Sequence, residues 1–185
     1  ERDDSCFATP EPSPEPTPEP TTNNVMTDST IRTAVHHWLD DSSKAELLYG
    51  HISDWDTSQV TDFSFLFCGR SDWSECHGNA GAFNEPLNDW DTSSATTMGR
   101  MFYLAESFDQ DLDGWDTSSV LTMEEMFVAA LSFDGRIDTW DVSSVRDMRS
   151  LFEKASSFNQ ALDAWNPKKA TTMEAMFSGA TSFDQ

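Results

Sequence analysis

The feature that most constrains the fold is a sequence repeat with a period of 25 residues. Each unit reads close to W-D-T-S-S-(V/A)-x-x-M-x-x-(M/L)-F-x-x-A-x-S-F-(D/N)-x-x-(L/I)-x-x. The first unit departs from the period, because its tryptophan precedes the next by 35 residues. A fixed period of this length is typical of stacked repeat architectures. The tryptophans that mark the units are Trp55, Trp90, Trp115, Trp140 and Trp165.

A unit of this size is too short to bury its own apolar side, so the units have to stack. In the third unit Val120, Met123, Met126, Phe127 and Ala130 have helical spacing, the preceding Asp-Thr-Ser-Ser would cap that helix, and residues 137–140 suit a short strand. The predicted fold class is an α/β solenoid, leucine-rich-repeat-like, with one short strand and one short helix per coil. Besides the tryptophans, the predicted repeat core comprises Met101, Met126, Phe102, Phe127, Phe152 and Phe177.

Three segments are predicted along the chain. Residues 1–24 are a Pro-, Glu- and Thr-rich extended spacer, residues 25–52 an N-terminal helical cap, and residues 53–185 a solenoid of five coils, the first with an insertion. Ile31, Ala34, Val35, Trp38 and Leu39 indicate an amphipathic helix in the cap, with Asp28, Ser29 or Thr30 at its start. A second short helix is predicted over residues 44–49.

The spacer carries proline at every second position from Pro10 to Pro20, which excludes helix and sheet and favours polyproline II. Its hydroxyl side chains are candidates for O-glycosylation, with an unmodified linker as the alternative. These candidates are Thr9, Ser13, Thr17, Thr21 and Thr22.

The chain has three cysteines, and two of them flank the insertion. A disulfide between Cys68 and Cys76 would close that loop, whereas a zinc site with His77 lacks ligands at finger-like spacing. Cys6 is then left without a partner in this sequence. It is either an unpaired thiol or, in an oxidising compartment, bonded to another chain.

The formal net charge of −22 argues against a nucleic-acid partner, since phosphate binding requires positive charge. No apolar run reaches the roughly 20 residues of a membrane-spanning helix, so we expect no membrane insertion by this segment.

Aspartates recur with the repeat and predict two acidic columns. Asp56, Asp91, Asp116 and Asp141 form the first column, which either binds calcium or caps the predicted helices. The second column has Asn84, Asp109, Asp134, Asn159 and Asp184. No nucleophile, phosphate loop or paired-carboxylate motif stands out, so the chain is expected to be non-catalytic and to need no cofactor, apart from the calcium alternative.

The motif W-D-x-S-x-V-x-x-M-x-x-M-F, followed by F-(D/N)-Q-x-L, resembles the repeat of the BspA-like leucine-rich-repeat surface proteins. The resemblance covers residues 53–185, and residues 31–35 and 49–55 are similar to the opening segment of that family. It implies an extracellular or cell-surface location and an adhesive or structural role. The implied partners are other proteins, surface glycans or copies of the chain itself.

Two functions therefore remain open: a surface module for adhesion or protein–protein interaction, and a structural subunit of an extracellular filament or sheath. The second reading draws on the proline tract and on the last coil. That coil ends at Phe183-Asp184-Gln185 without a second cap, and it is expected to expose apolar edges of Met173, Met176 and Phe177.

Overall fold

The computed structural model describes residues 24–185, so the predictions for Cys6, the proline tract and its hydroxyl side chains lie outside the described residues. Strand β1 (Val25–Thr27) is followed by helices α1 (Ile31–Asp40) and α2 (Ser42–Tyr49), a 3₁₀ helix at Ile52–Asp54, strand β2 (Asp56–Gln59) and a 3₁₀ helix at Gly78–Ala82. The strands pair in parallel, with Val25 opposite Asp56 and Thr27 opposite Gln59. Between residues 24 and 185, no helix is both long and apolar enough to cross a membrane.

Helix α1 forms because its apolar residues recur every three or four positions, and Ile31, Ala34, Val35 and Trp38 are all buried. The helix ends where the Asp41 N–H bonds to the His37 carbonyl at 2.9 Å. The Asp41 carboxylate then accepts from the Lys44 N–H at 3.2 Å and so caps the start of α2.

The helix predicted in each repeat is wrong. In the third coil, residues 123–129 form consecutive tight turns, in which the N–H of Met126 bonds to the carbonyl of Met123 at 3.2 Å and the N–H of Val128 to that of Glu125 at 3.3 Å. Glu125 and Ala129 have φ of 55° and 54°, which a right-handed helix does not allow. Successive turns bring apolar side chains inward at steps close to those of a helix, which explains the misleading pattern.

Every second N–H group within these turns donates to a carbonyl of the next coil rather than to one of its own coil. The N–H groups of Met98, Arg100, Phe102 and Leu104 donate to carbonyls 24 residues further on, at 2.8–3.1 Å. The same four columns repeat from the third coil to the fourth and from the fourth to the fifth. We call residues 63–69, 98–104, 123–129, 148–154 and 173–179 the turn segments.

The strand predicted at residues 137–140 is also wrong, because the pairing between coils lies elsewhere. Single parallel bridges join Asp62 to Thr97, Thr97 to Thr122, Thr122 to Asp147 and Asp147 to Thr172. The backbone pairing between these coils therefore lies at one bridge and the adjoining turn segment.

The core consists of three columns of aromatic rings. In the second coil Phe102 lies 4.1 Å from Phe108 and 5.4 Å from Phe127 of the next coil, measured between ring centroids. The indole N–H of Trp115 donates at 2.8 Å to the carbonyl of Leu87, 28 residues earlier, which satisfies its one polar atom. Met101 and Met126 are fully buried, whereas Trp165 and Phe177 of the last coil are only partly buried.

The first coil is capped by side chains from the start of the cap. The Asp28 carboxylate accepts from the N–H of Thr61 at 2.7 Å and from that of Asp62 at 3.0 Å, and Arg32 donates to the Ser64 carbonyl. Asp28 was predicted as one of three residues capping α1, but Thr30 is the N-cap and makes no side-chain cap bond. Asp28 and Arg32 instead occupy the hydrogen-bonding positions that a preceding coil would fill.

Candidate binding surface

The turn segments build one continuous outer surface, which we call the turn face. Its backbone is fixed by the bonds between coils, while its outward side chains differ from coil to coil. One column of this face carries Phe65, Arg100, Glu125, Ser150 and Ala175, and these five residues all have positive φ. The turn face therefore combines a constant scaffold with a variable set of exposed groups.

Ion pairs connect the middle of the turn face across three coils. Arg100 contacts Glu124 and Glu125 of the next coil, each at 3.0 Å, and Arg149 of the fourth coil pairs with the same Glu124. The hydrogen bonds that Arg100 donates to Glu125, together with the charges of both glutamates, raise the pKa of Arg100. Because solvent still reaches these side chains, the pairs orient them more than they stabilise the fold.

Aromatic side chains gather at the first two coils, beside the insertion. The ring of Trp73 lies 5.3 Å from that of Tyr103 and 6.2 Å from that of Phe65. The Arg70 guanidinium lies 4.6 Å from the Trp73 ring centroid, and Arg100 lies 5.5 Å from that of Phe65. All three rings are partly exposed. Sequence reasoning missed this cluster, although Phe65 and Tyr103 visibly depart from the repeat.

The insertion that carries Trp73 is held from several sides. Cys68 and Cys76 are joined by a disulfide, with Cα atoms 4.7 Å apart. His77 contacts Asp40 of α1 at 3.0 Å. On the same side of α1, burial and the neighbouring His77 lower the pKa of His36. Cap, insertion and first coil thus form one packed unit.

The first acidic column has a local role that differs from helix capping. The Asp116 carboxylate accepts from the Ser118 N–H at 3.0 Å and from its hydroxyl at 2.6 Å, and Asp56 and Asp91 repeat both bonds with Ser58 and Ser93. Asp141 accepts from the Ser143 N–H at 2.8 Å. The serine hydroxyl and amide lower the pKa of Asp91. These aspartates therefore fix turns, since no helix follows them.

The second acidic column bonds from coil to coil. The Asp109 side chain accepts from the Asp134 N–H at 2.8 Å, and Asn84, Asp134 and Asn159 each do the same for the coil that follows. Asparagine and aspartate both supply the accepting oxygen, which explains why either residue occurs in this column. Among residues 24–185, no group of three or more His, Cys, Asp or Glu side chains is arranged to hold a metal ion.

Within residues 24–185, the turn segment of the fifth coil lacks the hydrogen bonds that the earlier turn segments donate to another coil. Within the described part of the chain, the N–H groups of Met173, Ala175, Phe177 and Gly179 have no acceptor, although their counterparts in the fourth coil each have one. Met173 is 50% exposed, while Met176, Phe177 and Phe183 pack against the core and are partly buried. These four N–H groups are positioned to donate to a row of carbonyl groups.

Comparison with known proteins identifies a family but no function. A family model described as "Mycoplasma protein of unknown function, DUF285" matches residues 42–130 and 110–185. No curated protein and no solved structure gives a significant match. The two matched ranges overlap within the repeats and together reach from α2 to the last residue of the sequence. The chain therefore belongs to the DUF285 family of repeat proteins.

Proposed function

We propose that the chain is a non-catalytic adhesion or protein-interaction module at the cell surface or outside the cell, and that it binds its partners through the turn face. The observation that carries this proposal is the contrast between inward and outward columns. Inward positions repeat Trp, Phe and Met, whereas one outward column reads Phe65, Arg100, Glu125, Ser150 and Ala175. A fixed scaffold with varied exposed groups suits recognition, because few side chains have to be ordered on binding.

We further propose that the stack is a solenoid of the leucine-rich-repeat-like class and that its closer relatives are BspA-like surface proteins. The 25-residue motif and the bonds between equivalent positions of successive coils support the first point. The disulfide supports an oxidising compartment, where such bonds persist. Proteins and surface glycans are the proposed partners. Nucleic acid is disfavoured by the charge of −22, and no cofactor is part of the proposal.

Attachment of coated beads tests this function. Beads carrying the full chain should adhere to epithelial monolayers or to immobilised mucin at least about tenfold more than albumin-coated beads, which corresponds to about 1.4 kcal/mol of binding preference. A variant with Phe65, Arg100 and Glu125 all replaced by Ser keeps the inward columns and serves as the matched control. Adhesion no greater than that of albumin beads would overturn the proposal.

A second candidate function is a structural subunit of an extracellular filament or sheath, for which the fifth coil offers a contact surface. Four amide donors face outward there beside partly exposed apolar side chains. The first coil offers no matching free edge, since Asp28 and Arg32 already occupy it. Self-association would therefore have to displace the cap or use the proline tract. Sedimentation of the 185-residue chain at micromolar concentration is the test, and a stable monomer would exclude self-assembly.

A further inference from the structure

The repeats provide an internal control for the aromatic cluster. The column that holds Tyr103 elsewhere carries small, branched or charged residues, and the column that holds Phe65 elsewhere carries no aromatic residue. Trp73 belongs to the insertion, which no other coil has. Three departures from the repeat therefore converge at one place on the turn face. The residues that replace Tyr103 in its column are Cys68, Val128, Glu153 and Ser178.

Packing of the insertion does not require these rings. The disulfide closes the loop, the Gly69 N–H donates to the Tyr103 carbonyl at 2.7 Å, and the His77 N–H donates to the Cys68 carbonyl at 2.8 Å. These anchors are covalent or use backbone atoms, and none depends on an aromatic side chain. Rings that remain partly exposed although the fold does not need them indicate contact with something else.

The cluster borders an open cavity of about 390 Å³ lined by Phe65, Trp73, Glu75 and Arg100. This volume lies within the range of small-molecule sites, and its lining combines two rings with two planar polar groups. The Glu75 carboxylate forms no salt bridge within residues 24–185, so its oxygens are available to accept hydrogen bonds.

Charge restricts the class of ligand. Arg70 is paired with Asp72 at 2.7 Å, and Arg100 is held by two glutamates, so an anionic ligand finds no unpaired guanidinium. A cationic ligand is disfavoured as well, because arginines already lie against these rings. The Arg70 guanidinium is 4.6 Å from the Trp73 ring centroid, and that of Arg100 is 5.5 Å from the Phe65 ring centroid. A neutral ligand with one apolar face and several hydroxyl groups fits both the rings and the polar rim.

We propose that Phe65, Trp73 and Tyr103, with Glu75 and Arg100 at the rim, form a binding site for a neutral carbohydrate. The C–H face of a sugar ring packs against the exposed aromatic surface. Its hydroxyl groups donate to the Glu75 carboxylate and accept from the Arg100 guanidinium. This inference rests on the proposed adhesive function and assigns one partner class to one end of the turn face.

Saturation-transfer NMR on the full chain tests the site, with lactose, cellobiose and chitobiose as neutral probes. We expect transfer to the ring C–H protons of at least one probe, with Kd on the order of 1 mM, as for a small shallow site. Tyr103→Val and Phe65→Ser introduce residues that the same columns carry at Val128 and Ser150, so both variants should fold. Phe65→Ser should weaken binding about tenfold, the loss that removal of a central anchor causes. Tyr103→Val removes the ring that stacks on Trp73 and so should weaken binding by a smaller but measurable factor. Glu153→Ser, in the column of Tyr103 two coils away, is the matched control and should bind like the parent.

The outcomes separate this inference from the function on which it rests. No transfer to any neutral probe, unchanged affinity in Tyr103→Val, or tighter binding of sialyllactose or a lysine-rich peptide would overturn the carbohydrate site. If beads adhere in the attachment assay and none of these sugars competes, the site fails while the adhesive function stands. If the sugars bind and the beads do not adhere, the adhesive function fails.

Discussion

The two ends of the stack differ in how they satisfy the same backbone groups. At the first coil, Asp28 accepts from two amides and Arg32 donates to a carbonyl. At the fifth coil, four amides have no acceptor within residues 24–185. The middle coils satisfy these groups from neighbouring copies of themselves. The comparison shows that hydrogen bonds between coils, rather than helices within them, organise the repeat.

The largest expected effect comes from the core of a middle coil. Trp115→Ala should lower the free energy of unfolding by about 3–5 kcal/mol, because it leaves a large cavity and removes the donor to the Leu87 carbonyl. Trp165→Ala in the partly exposed fifth coil should cost clearly less. Urea denaturation of both variants checks the difference. Equal losses would mean that the fifth coil is as well packed as the third.

Removing the disulfide should have the next largest effect. Replacing both Cys68 and Cys76 by Ala should cost about 2–3 kcal/mol, because the bond closes a short loop in the unfolded chain. The loss should appear at the first coil and not at the fourth, which hydrogen exchange resolves. Alkylation followed by intact-mass measurement of the untreated protein should leave these two cysteines unlabelled. Labelling of both would contradict the bond.

The side-chain cap of the first coil should contribute less. Asp28→Ala should cost about 1 kcal/mol, as for loss of a helix cap, because two amides lose their acceptor. Burial opposes ionisation of Asp28, but the bonds from Asp62 and Thr61 and the charge of Arg32 outweigh it and lower its pKa.

The cap also predicts a pH dependence. Since the folded-state pKa of Asp28 lies below the unfolded value of about 3.9, its stabilisation is complete above that pH and disappears as the pH falls through the folded-state pKa. Below that range the parent and Asp28→Ala should converge. Asp163→Ala, at an exposed position in the fourth coil, is the control and should follow the parent at every pH. A constant gap between parent and Asp28→Ala down to pH 2 would argue against the cap.

Ala129→Gly should have the smallest effect on stability, and the sign of that effect distinguishes turns from a helix. Ala129 has φ of 54°, where glycine is not strained, so Ala129→Gly should leave stability unchanged or raise it by about 0.5 kcal/mol. In a helix the same change would cost about 1 kcal/mol. Thermal or urea denaturation measures it. A clear loss would favour a helix over turns.

The sequence predicted the inward positions well, because the period places Trp, Phe and Met in columns that only stacking can bury. It failed on local structure for a physical reason: Met123, Met126 and Phe127 point inward at nearly helical steps, and the left-handed residues Glu125 and Ala129 are not glycines. The sequence offers Asp28 as one of three caps for α1, because its actual partners, Thr61 and Asp62, lie over 30 residues away. The aromatic cluster could have been found by asking which outward residues break the repeat.

Residue-resolved hydrogen exchange tests the stack of turns most directly. The turn segments 148–154 and 173–179 carry equivalent amides, and within residues 24–185 only those of 148–154 donate to another coil. We expect Ala175, Phe177 and Gly179 to exchange at least about a hundredfold faster than Ser150, Phe152 and Lys154, as for edge groups that open without global unfolding. Helices within the coils would protect Phe177 and Gly179 as well as their counterparts Phe152 and Lys154. Equal protection at these positions would contradict the account.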